Sequence, residues 1–165
     1  MRSREITSKL SGSAVLLIAY RRHKNLEDLL ELCLSNGVSR IYVALDAPAN
    51  SSAQVDVDLC LQVIDNFKAR FPEVLRVKIA SSNLGCAISV LSACDWALQA
   101  EDFVAILEDD CLPSPDFFEY MRDASRVMKS NSNIFLVSGS QFAPSTITNQ
   151  QWHLVRYPLI WGWGT

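Results

Sequence analysis

The sequence predicts an α/β domain with a mostly parallel central sheet and helices on both faces. Two observations carry that prediction. Short, continuous apolar runs alternate four times with longer segments whose apolar residues recur at helical spacing. The runs at 14–20, 40–45 and 103–107 are rich in Val, Ile and Leu and lack the in-out alternation of a half-exposed strand, as expected where both faces of a parallel sheet are covered.

The first run, 14–20, reads as a buried strand. A helix follows, with Asn25 as its N-cap and Asp28 three residues on, an apolar face of Leu26, Leu29, Leu30 and Cys33, and Gly37 as its stop. Residues 40–45 (RIYVAL) form the second strand, and the polar tract after Asp46 reads as a loop. A helix over 54–70 carries Cys60, Ile64 and Phe67 and is closed by Pro72. Residues 74–79 alternate like a half-exposed strand, and 81–85 (SSNLG) read as a turn. The next helix is expected to turn Ile88, Leu91 and Leu98 inward. Residues 103–107 form the fourth strand. Ser114-Pro115 opens a helix with Phe117, Met121, Ala124 and Met128 on one face. Residues 134–138 read as a fifth strand, and 139–165 as a long loop and irregular, aromatic-rich chain.

A chain of 165 residues suits one domain, here 14–165 behind a leader at 1–13. A formal net charge of −3 argues against a nucleic-acid binder, but not against a nucleotide whose phosphates a metal offsets. The apolar run at 14–20 is too short to span a bilayer, and no cleavage site follows it, so a cytoplasmic protein peripheral to a membrane is expected. The five cysteines form no CxxC or Cys/His cluster and read as buried free thiols.

Ligands of open α/β sheets bind beyond the carboxyl ends of the strands. Those ends carry Arg21 and Arg22, then Asp46, then Asn83 and Gly85, then Glu108, Asp109 and Asp110. Three adjacent carboxylates at a strand end repel one another, so at least one pKa should rise unless a cation intervenes. Mg²⁺ or Mn²⁺ suits such oxygen donors, often sharing its shell with substrate phosphates. Each residue also has a plainer role. Asp46 can begin an Asx-turn, the arginines can end a strand in solvent, Asn83 and Gly85 can simply turn the chain, and Trp161 and Trp163 can be core or a sugar-stacking surface.

The segment ILEDDCLPSPDFFEY (106–120) resembles the metal-binding strand, turn and helix of glycosyltransferases with the GT-A fold. It looks closest to the N-acetylglucosaminyltransferase I group, and more loosely to bacterial family-two-like enzymes. AVLLIAYRR, IYVALDAP, NLGCAISVLSACDWAL, FLVSGSQ and YPLIWGWGT agree in order, so the resemblance spans nearly the whole chain from Ala14. It implies a Rossmann-like GT-A domain that binds a nucleotide-diphosphate sugar, with Mn²⁺ (or Mg²⁺) as cofactor and a glycan or lipid-linked acceptor. By that likeness Arg22 and Asp46 hold the uracil end of a UDP-sugar, and Asp110 binds the metal. Asp109, with Glu108, contacts ribose or donor sugar and supports the metal shell. Inverting members place a general base after the aromatic glycine segment, which here ends at Thr165. No Asp or Glu follows Asp123, so no catalytic base is assigned within the chain, and the resemblance puts it beyond Thr165. The expectation is therefore a C-terminally incomplete domain, with a non-catalytic nucleotide-sugar-binding module as the alternative. A receiver-like signalling domain is the remote one, because its acidic pair follows the first strand and its lysine has no counterpart here.

Overall fold

A computed structural model describes residues 14–140 and 155–165. The leader expected at 1–13 lies outside the described residues. The elements run β1 (Ala14–Ala19), α1 (His23–Ser35), β2 (Arg40–Leu45), α2 (Ser51–Arg70), β3 (Leu75–Ile79), α3 (Cys86–Leu98), β4 (Val104–Glu108), α4 (Asp116–Ser130), β5 (Val137–Ser138) and β6 (Trp163–Gly164). The domain is α/β, and its six strands lie in the order β3-β2-β1-β4-β6-β5. β1, β2, β3 and β4 are mutually parallel, whereas β6 runs antiparallel to both β4 and β5. The sheet is therefore mixed. β6 leaves no signal in the sequence because two residues, one of them glycine, carry no periodicity.

The strands' alternate side chains build two apolar layers. Val15, Leu17, Val43 and Leu107 face one way and pack with Leu26 and Leu30 of α1, Cys60 and Ile64 of α2, and Phe117 and Met121 of α4. Leu16, Ile18, Ala44 and Ile106 face the other way, against Ala93, Cys94 and Ala97 of α3. Three helices thus cover one face and α3 the other. Each fully buried Leu or Ile contributes ~1.5–3 kcal/mol relative to exposure, which makes β1, with all six residues buried, the spine of the domain.

Several local expectations are corrected. Ile88 and Leu91 of α3 point to solvent, and Ser89, Ala93, Cys94 and Ala97 face the sheet. CAISVLSACDWAL is apolar almost all round, so spacing could not choose a face; the small residues won because they let the helix approach the strands. Leu98 is likewise exposed. Asn25 lies within α1, which starts at His23, and its side chain is used elsewhere. α2 begins at Ser51 because the Asn50 side chain accepts a hydrogen bond from the Ala53 amide at 3.1 Å, a cap worth ~1 kcal/mol. Pro115 precedes α4 as its cap residue, and the strand expected at 134–138 shrinks to two residues. The tail expected to be irregular up to Thr165 is instead strand-paired at its end. The Thr165 amide donates to the Val104 carbonyl at 3.2 Å, and the Val104 amide to the Thr165 carbonyl at 3.0 Å. Of the cysteines, Cys33, Cys60 and Cys94 are buried, but Cys86 is exposed and Cys111 half-buried. Burial pushes the Cys33 and Cys60 thiols up to about 12 and that of Cys94 to about 11, leaving them inert near neutrality. No helix among the described residues is long and apolar enough to cross a membrane.

Candidate functional site

The strand order decides where a ligand would meet the sheet. From β1 the chain steps outward through β2 to β3, then crosses back with α3 on the opposite face to form β4 on the other side of β1. The direction of winding reverses between β1 and β4, and a crevice opens beyond the carboxyl ends at such a reversal. The two strand ends that meet there are Tyr20-Arg21-Arg22 and Glu108-Asp109-Asp110.

Those ends are cross-linked by one side chain. The Asp109 carboxylate is buried, at 5% exposure, and points back into the turn after β1. Its Oδ2 accepts from the backbone amides of Tyr20 at 2.9 Å, Arg21 at 3.3 Å and Arg22 at 3.3 Å. Its Oδ1 accepts from Arg22 Nη1 at 2.6 Å. The Asp109 carbonyl accepts from Asn25 Nδ2 at 2.8 Å, and its amide donates to the Ile18 carbonyl at 3.0 Å. These amides lead into the N-terminus of α1, where a negative charge also suits the helix dipole. Asp109 is therefore committed to structure in this geometry, which was not legible in an acidic triplet.

Asp110 differs. Its side chain is 53% exposed, 3.4 Å from Arg22 Nη1, with the Cys111 Sγ at 3.6 Å. Glu108 is half-buried. Its burial, followed by the charges of Asp110 and Asp109, raises its carboxyl above the usual range, against a smaller opposing effect of Arg22. The expected rise within the acidic run thus falls on Glu108. The Arg22 guanidinium, beside Asp109, is held even more firmly protonated than usual. Glu108 and Asp110 are the two carboxylates left to offer to a cation. Among the described residues no group of three or more His, Cys, Asp or Glu side chains is poised to hold a metal. A divalent ion here would take at most a few oxygens from the chain and the rest from water or phosphate, which is the habit of Mg²⁺ and similar ions.

The neighbouring strand end has a second buried acid. Asp46 Oδ1 accepts from the amides of Ala47 and Leu84, both at 2.9 Å, and Oδ2 accepts from Gly85 at 3.1 Å and Asn83 Nδ2 at 3.3 Å. Asp46 so ties the 83–85 turn to the end of β2. Gly85, with φ of 74°, occupies backbone space that other residues rarely adopt and leads directly into α3. Arg21 turns away from the acidic run to Asp56 of α2, whose Oδ2 accepts from Arg21 Nε at 2.8 Å and Nη2 at 2.6 Å.

The two tryptophans separate. Trp163 pairs in register with Ile106 and packs against the α3-side layer. Trp161 is 57% exposed. β6 runs antiparallel to β4, so the chain enters β6 at Trp163 from the carboxyl side of β4, with Trp161 just before it. The same direction carries Thr165 to the opposite edge, beside Val104 at the start of β4. Thr165, the residue beyond which a general base is expected, therefore stands a strand's length from the acidic run, and the expected base itself lies outside the described residues. No family model and no curated protein matches the chain.

Proposed function

We propose that this domain binds a nucleotide-diphosphate sugar, a UDP-sugar by the likeness of its motifs, together with Mn²⁺ or Mg²⁺, as the donor half of a GT-A glycosyltransferase. The observation that carries this reading is the placement of a half-exposed carboxylate, Asp110, at the reversal between β1 and β4, beside an arginine and a carboxyl raised by burial and then by its acidic neighbours. In this reading Asp110 ligates the ion and Glu108 supports it, either directly or through water. The ion, when bound, supplies Lewis-acid stabilisation to a diphosphate leaving group. Asp109 contributes by fixing both strand ends. Asp46 positions the 83–85 backbone against the nucleoside end, and Trp161 offers an aromatic face at the edge where a sugar would lie.

One experiment tests the donor site. Mn²⁺ and UDP at about 100 times Kd should stabilise the fold by ~2.7 kcal/mol, a rise of about 5–11 °C in Tm. Asp110→Ala should remove the metal-dependent part. No shift with Mn²⁺ and any nucleoside diphosphate would overturn the reading.

A further inference from the structure

We infer that Arg22 is a resident counter-cation of the donor site: its guanidinium competes with the divalent ion for Asp110 and is handed to the ligand's phosphates when the ion arrives. This rests on the reading of the acidic run as a metal–diphosphate site. It goes beyond that reading by assigning a coupling between metal and nucleotide.

The geometry is asymmetric. One nitrogen, Arg22 Nη1, lies 2.6 Å from buried Asp109 and 3.4 Å from exposed Asp110. Asp109 cannot follow the arginine outward, because three backbone amides hold it. Among the described residues, Asp110 has the longer ion pair and the weak thiol contact. The arginine side chain is itself 54% exposed, so its outward face is open to an anion. A divalent ion ligated by Asp110 would stand within a few ångströms of the guanidinium, and like charges at that range repel. The guanidinium then keeps Asp109 and leaves Asp110. A diphosphate relieves the remaining repulsion by offering oxygens to both cations, and Arg suits such planar, paired recognition. Metal alone is therefore disfavoured, and metal with nucleotide favoured. By linkage, each raises the affinity of the other by the same factor.

The test measures Mn²⁺ affinity from the signal of free aqueous Mn²⁺ by electron paramagnetic resonance, with and without UDP. Arg22→Met should bind Mn²⁺ alone about 2- to 5-fold more tightly, the change expected on removing a competing exposed ion pair. The factor by which UDP tightens Mn²⁺ should fall about tenfold in the same variant, through loss of a charged phosphate contact. Arg22→Lys, which keeps the charge, should restore the wild-type affinity for Mn²⁺ alone. Arg21→Met removes an equal charge that pairs with Asp56 and should leave it unchanged. Equal or weaker Mn²⁺ binding by Arg22→Met, or an equal gain in Arg21→Met, overturns the inference. If Arg22→Met does not fold by circular dichroism, titration of the wild type with Mg²⁺ decides. The Arg22 ¹⁵Nε resonance should move along with the Asp110 carboxyl ¹³C, and a stationary arginine signal overturns the inference. Failure of the underlying site looks different: wild type and Asp110→Asn would then bind Mn²⁺ equally.

Discussion

Asp109 and Asp110 are adjacent and chemically identical, yet the structure assigns them opposite costs. Asp109→Ala removes the acceptor of four hydrogen bonds, of which two are short: Tyr20 N at 2.9 Å and Arg22 Nη1 at 2.6 Å. Charge-assisted bonds of that kind are worth ~1.5 kcal/mol each, and the two amides at 3.3 Å add less. Arg22 is half exposed, so solvent screens its share. The expected loss is ~3 kcal/mol, or about 6–12 °C in Tm for a chain of this length. Asp109→Asn keeps one acceptor oxygen but no charge and should lie between. Asp110→Ala loses an exposed ion pair and a weak thiol contact among the described residues and should stay within ~0.5 kcal/mol of wild type without metal. Urea unfolding followed by far-ultraviolet circular dichroism, with a shared m-value, measures all three variants. A loss below ~1 kcal/mol for Asp109→Ala, or an equal loss for Asp110→Ala, would refute the division of labour.

Three further outcomes are expected. Asp46→Ala should cost ~2–3 kcal/mol and abolish hydrogen-exchange protection of the Leu84 and Gly85 amides, while the β1 amides keep theirs. Glu108 ionises less readily in the folded chain than in the unfolded one, so the folded state holds more protons and stability falls as pH rises from the ordinary glutamate range through the raised value. Metal-free Glu108→Gln should therefore gain on wild type as pH goes from about 4 to 7, and a flat difference would contradict the shift. Gly139→Ala would bring a Cβ within 2.6 Å of the Phe117 ring and 2.7 Å of the Gly162 carbonyl, so it should cost ~1–3 kcal/mol in thermal denaturation, although the site is exposed.

The parallel half of the sheet was legible because its strands are buried on both faces and read as unbroken apolar runs, as in AVLLIA and RIYVAL. The face of α3 was not, since a helix apolar all round gives periodicity nothing to select; only packing against Ile18 and Ile106 does so. The site shows the same division. Its address at the strand ends follows from element order alone. The direction of each carboxylate does not, because Asp109 and Asp46 are turned inward by backbone amides distant in sequence. Arg21 and Arg22 are equally uninformative as a pair. Their separation, one to Asp56 and the other to Asp109, depends on where α2 and β4 lie.

The bonds of Asp109 have a consequence for affinity. A crevice between two strand ends would ordinarily have to be gathered into shape by whatever enters it, and that ordering would be subtracted from binding. Here the turn after β1 and the end of β4 are already braced together when the chain folds. The entropy of bringing these strand ends together is met when Asp109 is bonded in the folded chain, so any ligand entering between them would find the frame already set and would keep more of its contact energy as affinity.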